Sequence, residues 1–133
     1  MTAHPTPDVS PYDLLGGEAP LRKLVDRFYD LLDEVPEFYV VRKLHPADLT
    51  GSREKLFMFL SGWLGGPQLY VQKHGHPMLR ARHLPFSIGT AERDGWIACM
   101  KQAMEETGVD EGMREWLLNS LLGTADWMRN RAE

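Results

Sequence analysis

Residues 80–89 read Arg-Ala-Arg-His-Leu-Pro-Phe-Ser-Ile-Gly, and the interpretation of the whole chain starts from them. A single imidazole, His83, follows two arginines and precedes an apolar segment that Pro85 interrupts. A neutral imidazole is a good ligand for iron, zinc or copper, and guanidinium groups suit a carboxylate or a phosphate. A solvated histidine near the end of a helix would leave the same pattern, so the rest of the sequence has to decide between the two.

The composition is typical of one soluble globular domain. A chain of 133 residues is long enough to bury one core and too short for two. Of these residues, 43% are hydrophobic and 26% are charged, as is usual for a soluble globular domain. The net charge of -4 gives no electrostatic reason to expect nucleic acid or an acidic membrane as a partner. Cys99 is the single cysteine, which excludes an internal disulfide and a cysteine-rich metal site. Because no stretch resembles a signal peptide or a membrane span, we expect a cytoplasmic protein.

Apolar residues recur at helical spacing on both sides of this central segment, and no run alternates as a strand would. We expect a flexible extension over residues 1–9 and a single domain over residues 10–133. Ser10-Pro11 predicts a short helix that Gly16-Gly17 ends. Further helices are expected to start near Glu18, at Pro36, at Ser52, at Ser87 or Thr90, and after Asp110. The sequence therefore predicts an all-α fold.

Periodicity is weak only in the middle of the chain. Gly75, Pro77 and Pro85 divide residues 67–85 into turns and at most one short helix before His83. Irregular backbone in mid-chain is typical of a segment that a ligand organises. This pattern favours a binding role for the segment without naming the ligand.

Several short motifs follow one another in a characteristic order. They are Gly16-Gly17, Arg27-Phe28-Tyr29, Phe57-Met58-Phe59-Leu60, Gly65-Gly66-Pro67, Gly75-His76-Pro77, Leu79-Arg80-Ala81-Arg82-His83, Phe86-Ser87-Ile88 and Glu92-Arg93-Asp94-Gly95-Trp96. Each motif alone is weak, but their joint order and spacing resembles that of the group II truncated haemoglobins, from about Pro11 to the last helix. The resemblance implies a two-over-two helical sandwich around haem b, with His83 as the proximal iron ligand.

In this family, the side of the haem that binds gas carries polar groups at positions that here hold Tyr29, His45 and Trp96. Donors aimed at bound dioxygen stabilise its partial negative charge, each by ~1–3 kcal/mol in a dry pocket, so three potential donors imply slow release. From periodicity alone, Trp96 would be a core residue and Tyr29 the edge of an apolar stripe. Many relatives carry tyrosine or phenylalanine at the position of His45, so histidine marks a subset; the alternative is a plain loop histidine before proline.

The resemblance also implies which residues line the haem. The expected wall consists of Leu56, Phe59, Tyr70, Met78, Leu79, Phe86, Ile88, Trp96 and Met100. For the propionates we expect Arg82 first, then Tyr70 or His76. Aromatic and methionine side chains are commonly just core, so ordinary packing is the alternative for each. Other globins often hold histidine or glutamine at the position of Ser52. The small serine indicates that few side-chain atoms stand in the path by which a ligand enters toward the iron. A helix cap would also explain this serine.

The leading functional hypothesis is a haem protein that holds dioxygen tightly and then converts nitric oxide to nitrate, or reduces peroxide. Carbon monoxide is a further expected ligand, an unidentified reductase would recycle ferric iron, and a homodimer is compatible with the sequence. One alternative is a non-catalytic store or sensor of oxygen or nitric oxide. Another is an interaction module that no longer binds haem, against which the intact His83 argues. A further hypothesis is that Tyr29 or His45 coordinates the ferric iron.

Overall fold

The computed structural model describes residues 9–130, so the predicted extension over residues 1–9 lies outside the described residues except for Val9. Within this range the chain forms helices and turns and no extended strand, which confirms the all-α prediction. The helices are α1 (Pro11–Leu15), α2 (Glu18–Glu34), α3 (Tyr39–Arg42, preceded by a 3-10 turn at Pro36–Phe38), α4 (Thr50–Trp63), α5 (Leu69–His74), α6 (Leu79–His83), α7 (Thr90–Glu106) and α8 (Glu111–Trp127). Within these bounds no helix has the length and apolar character that crossing a membrane requires.

Four long helices form the predicted two-over-two sandwich. Helix α2 packs against α4, α7 packs against α8, and α2 also contacts α7. The apolar stripe of α2 is completely buried at this centre, and it meets the buried residues Cys99, Met100, Ala103 and Met104 of α7. Fully burying one such large apolar side chain contributes about 1.5–3 kcal/mol. The core therefore lies between α2 and α7 and fixes their relative position.

Gly95 allows α3 to lie close to α7. A Cβ atom at this position would stand 2.8 Å from a methyl carbon of Val40 and 3.1 Å from one of Val41. The first distance is shorter than side chains tolerate, so a larger residue would push the two helices apart. The glycine thus brings the chain leading to His45 against the turn of α7 that carries Trp96.

Two of the three predicted helix caps are confirmed. The Ser10 hydroxyl accepts from the Asp13 amide at 3.1 Å, and the Asp110 carboxylate accepts from the Met113 amide at 3.3 Å. The predicted start of α4 at Ser52 is wrong, because the helix begins at Thr50. There Asp48 accepts from the Thr50 amide at 2.9 Å, and such a local aspartate turn offers the chain an earlier entry into the helix.

The middle of the chain holds two short helices, α5 and α6, where the sequence predicted at most one. The turn between them passes through Met78, whose φ of 49° is in the left-handed region and is unusual for a residue other than glycine. Helices of five or six residues are not stable alone, and α6 buries none of its residues. Contacts with the rest of the protein must therefore hold α6 in place.

Candidate functional site

His83 is the last residue of α6 and is half-buried. Its Nδ1 atom lies 2.6 Å from the main-chain oxygen of Leu79. Because a carbonyl oxygen can only accept, Nδ1 must carry the ring proton, and Nε2 of the neutral ring keeps its lone pair. A hydrogen bond of this kind is what normally orients a metal-bound histidine. His83 is therefore prepared to bind a metal through one nitrogen.

Several large apolar side chains close to His83 in the chain are exposed. Met78, Leu84 and Phe86 are 54%, 56% and 42% exposed, although each has a large apolar side chain, while Ile88 in the same segment is buried. A cluster of exposed apolar side chains is typical of a binding surface. An imidazole nitrogen beside such a surface fits a flat, largely apolar group that carries a metal, as haem does.

Tyr29 and His45 meet in the interior, although they come from α2 and from the loop after α3. Their rings are in edge-to-face contact with centroids 5.7 Å apart. Tyr29 is only 4% exposed, and this burial raises the pKa of its hydroxyl far above the usual value, while the nearby Arg53 lowers it by a smaller amount. The hydroxyl therefore stays protonated and remains a hydrogen-bond donor.

Trp96 is linked to this pair by Phe28, which precedes Tyr29 on α2 and whose ring contacts the rings of both Tyr29 and Trp96. The rings of Phe28 and Trp96 are 5.1 Å apart and tilted by 54°. Trp96 is half-buried, and its indole N–H can only donate. The structure thus brings the three residues predicted for the gas-binding side into one region.

His45 differs from the other two in its hydrogen bonding. Its Nδ1 atom is 3.0 Å from the main-chain oxygen of Val41 and so carries the proton. Burial lowers the pKa of His45, the Val41 bond partly opposes this, and the charges of Arg42 and His83 lower it further. At neutral pH the ring is uncharged and Nε2 is an acceptor. The predicted role of His45 as a donor therefore requires protonation at acidic pH, which leaves Tyr29 and Trp96 as donors at neutral pH.

The residues predicted to line the haem or to hold its propionates lie in several environments. Leu56, Phe59, Leu79 and Trp96 are half-buried, Tyr70, Ile88 and Met100 are buried, and His76, Met78, Arg82 and Phe86 are exposed. Met100 is completely enclosed in the core between α2 and α7. That burial is what ordinary packing would also produce, so its assignment to the haem wall stays a prediction.

Of the residues predicted for the propionates, Arg82 lies close to Tyr70. The ring of Phe59 is 6.4 Å from the ring of Tyr70 in edge-to-face geometry. The guanidinium carbon of Arg82 lies 5.8 Å from the centre of the Tyr70 ring. Arg82 donates from Nε to the Pro77 carbonyl at 2.7 Å. His76 instead accepts from the Met78 amide at 3.1 Å within its own turn. The geometry therefore favours Arg82 and Tyr70 over His76.

Sequence reasoning missed Arg53, on the first turn of α4. Its guanidinium donates to the Asp26 carbonyl at 2.9 Å and to the Asp30 carboxylate at 2.7 Å, and it lies 5.8 Å from the centre of the Tyr29 ring. Arg53 therefore joins α2 to α4 directly above Tyr29. The spacing of Asp26 and Asp30 on one helix face predicts a cationic partner, but nothing in the sequence identifies which arginine it is.

Asn130, just after α8, was missed as well. Its side chain and main chain form hydrogen bonds to the segment that follows His83. An asparagine after a helix is ordinarily read as a local cap, so no sequence signal points to this long-range contact.

The comparisons with known proteins agree with this geometry. A family model described as bacterial-like globin matches residues 10–130. The chain is 44% identical over 124 residues to the group 2 truncated haemoglobin YjbI of Bacillus subtilis, covering 93% of this chain and 91% of that protein. The solved group II two-on-two haemoglobin of Agrobacterium tumefaciens superposes with a TM-score of 0.89 at 46% identity, covering 96% of this chain and 98% of that one.

A truncated oxygen-avid haemoglobin from Bacillus subtilis gives a TM-score of 0.84 at 45% identity, with 91% and 99% of the two chains covered. Fold and site together define a haem-binding globin, and the chain belongs to the bacterial-like globin family. Within that family it is a group II truncated haemoglobin, as the order of its motifs implied.

Proposed function

We propose that this globin binds haem b through His83 and holds dioxygen tightly between Tyr29, His45 and Trp96. When bound, the haem supplies an iron atom that takes up a diatomic gas and exchanges one electron. The observation that carries the proposal concerns Tyr29: its side chain is buried, its hydroxyl stays protonated, and its ring contacts the ring of His45. A related protein from Bacillus subtilis is described as oxygen-avid, which supports the same property here.

Each residue of the pocket has a distinct role in this proposal. Tyr29 and Trp96 donate hydrogen bonds to the outer part of the bound gas, each contributing ~1–3 kcal/mol in a dry site. Neutral His45 has no proton on Nε2 and so cannot donate to the gas, but when protonated it becomes a third donor. This histidine distinguishes the subset of the family to which we assign the chain.

We infer that the physiological role is redox detoxification rather than oxygen transport. Tight retention is poor for delivery but useful when the gas is itself a reactant. Nitric oxide, dioxygen and one electron from the ferrous haem combine to give nitrate, which leaves the haem ferric. Reduction of peroxide is the other reaction that the polar pocket supports, with carbon monoxide as an unreactive competitor. Both reactions require a cellular reductant, and we place the protein in the cytoplasm accordingly.

The charge distribution favours an acidic protein as this reductant. All 19 acidic residues lie outside residues 55–91, although the chain as a whole carries a net charge of -4. The segment holds Lys55, Lys73, Arg80 and Arg82, and Lys73 and Arg82 are exposed close to His83 in the chain. Opposite charges steer association and fix the docking orientation. An acidic electron carrier would therefore approach the side of the molecule that holds the haem ligand.

The same contacts bear on the hypothesis of an internal ferric ligand. Burial disfavours the ionised form of Tyr29, whereas Nε2 of neutral His45 keeps a lone pair. Of the two, His45 is chemically the better candidate. A ferric absorption spectrum that changes in His45→Gln but not in Tyr29→Phe would agree with this assignment.

The decisive experiment measures oxygen release and turnover in the same preparations. Removing one donor in Tyr29→Phe or Trp96→Phe is expected to accelerate dissociation of dioxygen roughly 5- to 150-fold, which corresponds to ~1–3 kcal/mol. The wild-type oxygenated protein should consume nitric oxide and yield nitrate in equal amounts. Release that is fast and unchanged in both variants would contradict the pocket assignment. Slow release without nitrate or peroxide turnover would instead favour the store or sensor.

A further inference from the structure

The segment around His83 depends on other parts of the chain for its position. Helix α6 has five residues and buries none of them. The carbonyl groups at the end of so short a helix lack partners within the helix. The ring of His83 is oriented by Leu79, but this bond lies inside α6 and cannot fix the helix itself. An anchor from outside the helix is therefore required.

Asn130 provides that anchor with both its side chain and its main chain. Its Nδ2 donates to the carbonyl oxygen of Phe86 at 2.7 Å and, over a longer distance of 3.4 Å, to that of His83. Its Oδ1 accepts from the Ile88 amide at 2.9 Å, and its own amide donates to the Ile88 carbonyl at 2.8 Å. One residue thus satisfies main-chain groups at three positions of the segment 83–88.

A second attachment joins the same two regions on the other side of His83. Arg80 donates from Nη1 to the carbonyl oxygens of Trp127 and Arg129, at 3.0 Å and 3.1 Å. Residues 127–130 therefore bind the chain both before and after the iron ligand. The end of α8 is itself held to α7, because Asp126 accepts from Arg93 at 2.6 Å.

We propose that Asn130 is a positioning residue for the proximal ligand, and that residues 127–130 act as a latch which sets the height and tilt of His83 relative to the haem. The proposal rests on the assignment of His83 as the iron ligand. Asn130 touches neither gas nor iron in this scheme, and it acts through the backbone of residues 83–88. Its amide supplies a donor and an acceptor at once, a combination that aspartate cannot reproduce.

The test compares Asn130→Ala and Asn130→Asp with two controls in the haem-loaded protein. Asn130→Asp can still accept from the Ile88 amide but cannot donate to the Phe86 carbonyl. Asn119→Ala changes an exposed asparagine of α8, the helix that precedes Asn130. Asp110→Ala removes the cap at the N-terminus of α8, the end of that helix opposite to residues 127–130, and lowers stability there.

Three quantities are measured: the iron–histidine stretching frequency of the ferrous protein, the rate of haem loss, and amide hydrogen exchange of residues 84–88 in the haem-free protein. Both Asn130 variants should shift the stretching band, release haem ~10-fold faster, as loss of an outer partner of a metal ligand does, and exchange faster at these amides. Asp110→Ala should lower the melting temperature and leave the band in place.

An unchanged band in both Asn130 variants would overturn the proposal, as would an equal shift in Asp110→Ala. If the wild-type protein bound no haem, or if His83→Ala kept the same band, the assignment of His83 itself would fail. Faster exchange at residues 84–88 in the haem-free Asn130 variants would then show a structural anchor only.

Discussion

The two sides of the site are built in opposite ways. Tyr29 lies in the middle of α2, a helix of 17 residues whose apolar face is completely buried. His83 ends α6, a helix of five residues with no buried side chain. The proposed gas-binding side is therefore shaped by the core itself, whereas the segment of His83, the proposed iron ligand, is held by the hydrogen bonds of Asn130 and Arg80. Packing fixes the position of Tyr29, and a few polar contacts fix the position of His83.

Charges follow the same division. On the side of Tyr29, two ion pairs join α2 to α4: Arg53 with Asp30 at 2.7 Å and Arg22 with Glu54 at 2.9 Å. On the side of His83, Arg80 donates to main-chain carbonyl oxygens. Substitutions should therefore distinguish the two sides. The side of Tyr29 should respond to changes in packing and in paired charges, and the side of His83 to changes in the hydrogen bonds that anchor its backbone.

The largest effect is expected from His83→Ala. Without its imidazole nitrogen the haem loses the proposed proximal ligand, and its affinity should fall by more than the ~10–100-fold that loss of an outer partner causes. The ratio of Soret to protein absorbance after purification measures this. The matched control is His74→Ala, which removes an exposed imidazole that stacks on Tyr70. Equal haem content in both variants would contradict the assignment of His83.

Phe28→Ala compared with Leu84→Ala tests the difference in packing. Phe28 is completely buried between Tyr29 and Trp96, so its truncation should lower the free energy of unfolding by ~3–5 kcal/mol. Leu84 is 56% exposed, and its truncation should cost at most ~0.5 kcal/mol. Urea denaturation of the haem-free variants gives both values. Similar losses would mean that the segment around His83 is packed more tightly than the structure indicates.

Arg53→Met compared with Arg22→Met tests the contact above Tyr29. Both arginines join α2 to α4, but Arg22 lies 3.8 Å above the Phe57 ring instead. These pairs are partly exposed, so each variant should lose about 0.5–1 kcal/mol of stability. Only Arg53→Met should also accelerate oxygen release, by a few-fold, because it frees the Tyr29 ring. Stopped-flow displacement of oxygen by carbon monoxide would measure this, and equal release rates in the two variants would remove Arg53 from the site.

The smallest effect concerns pH. Burial lowers the pKa of His45 from its usual value near 6.5, so the ring stays neutral at pH 7 and gains its proton only as the pH falls through the lowered pKa. Protonation adds a donor, and oxygen release should then slow by a few-fold as the pH falls through this lowered pKa. His45→Gln should show a flat profile over the same range. Slowing that begins above pH 7 would mean that the pKa is raised instead.

Local sequence signals predicted the helices well where short-range chemistry decides them. Ser10 and Asp110 cap their helices as expected, and the glycine pair at residues 16–17 ends α1. The failure at Ser52 has a local cause, because the side chain of Asp48 competes for the same helix start. The short helix predicted before His83 is α6, and the helix that the sequence missed is α5, which packs against α4 through the contact of Tyr70 with Phe59.

By itself, the sequence determined the helical class and the order of the motifs, and through family resemblance it predicted the set Tyr29, His45, His83 and Trp96. Periodicity and spacing act between near neighbours, so they survive in the linear chain. Only the tertiary structure decided that His45 presents an acceptor, since this follows from its bond to Val41 and its burial. It also decided that Arg53 covers Tyr29 and that Asn130 anchors the segment after His83, because these contacts join residues far apart in the chain.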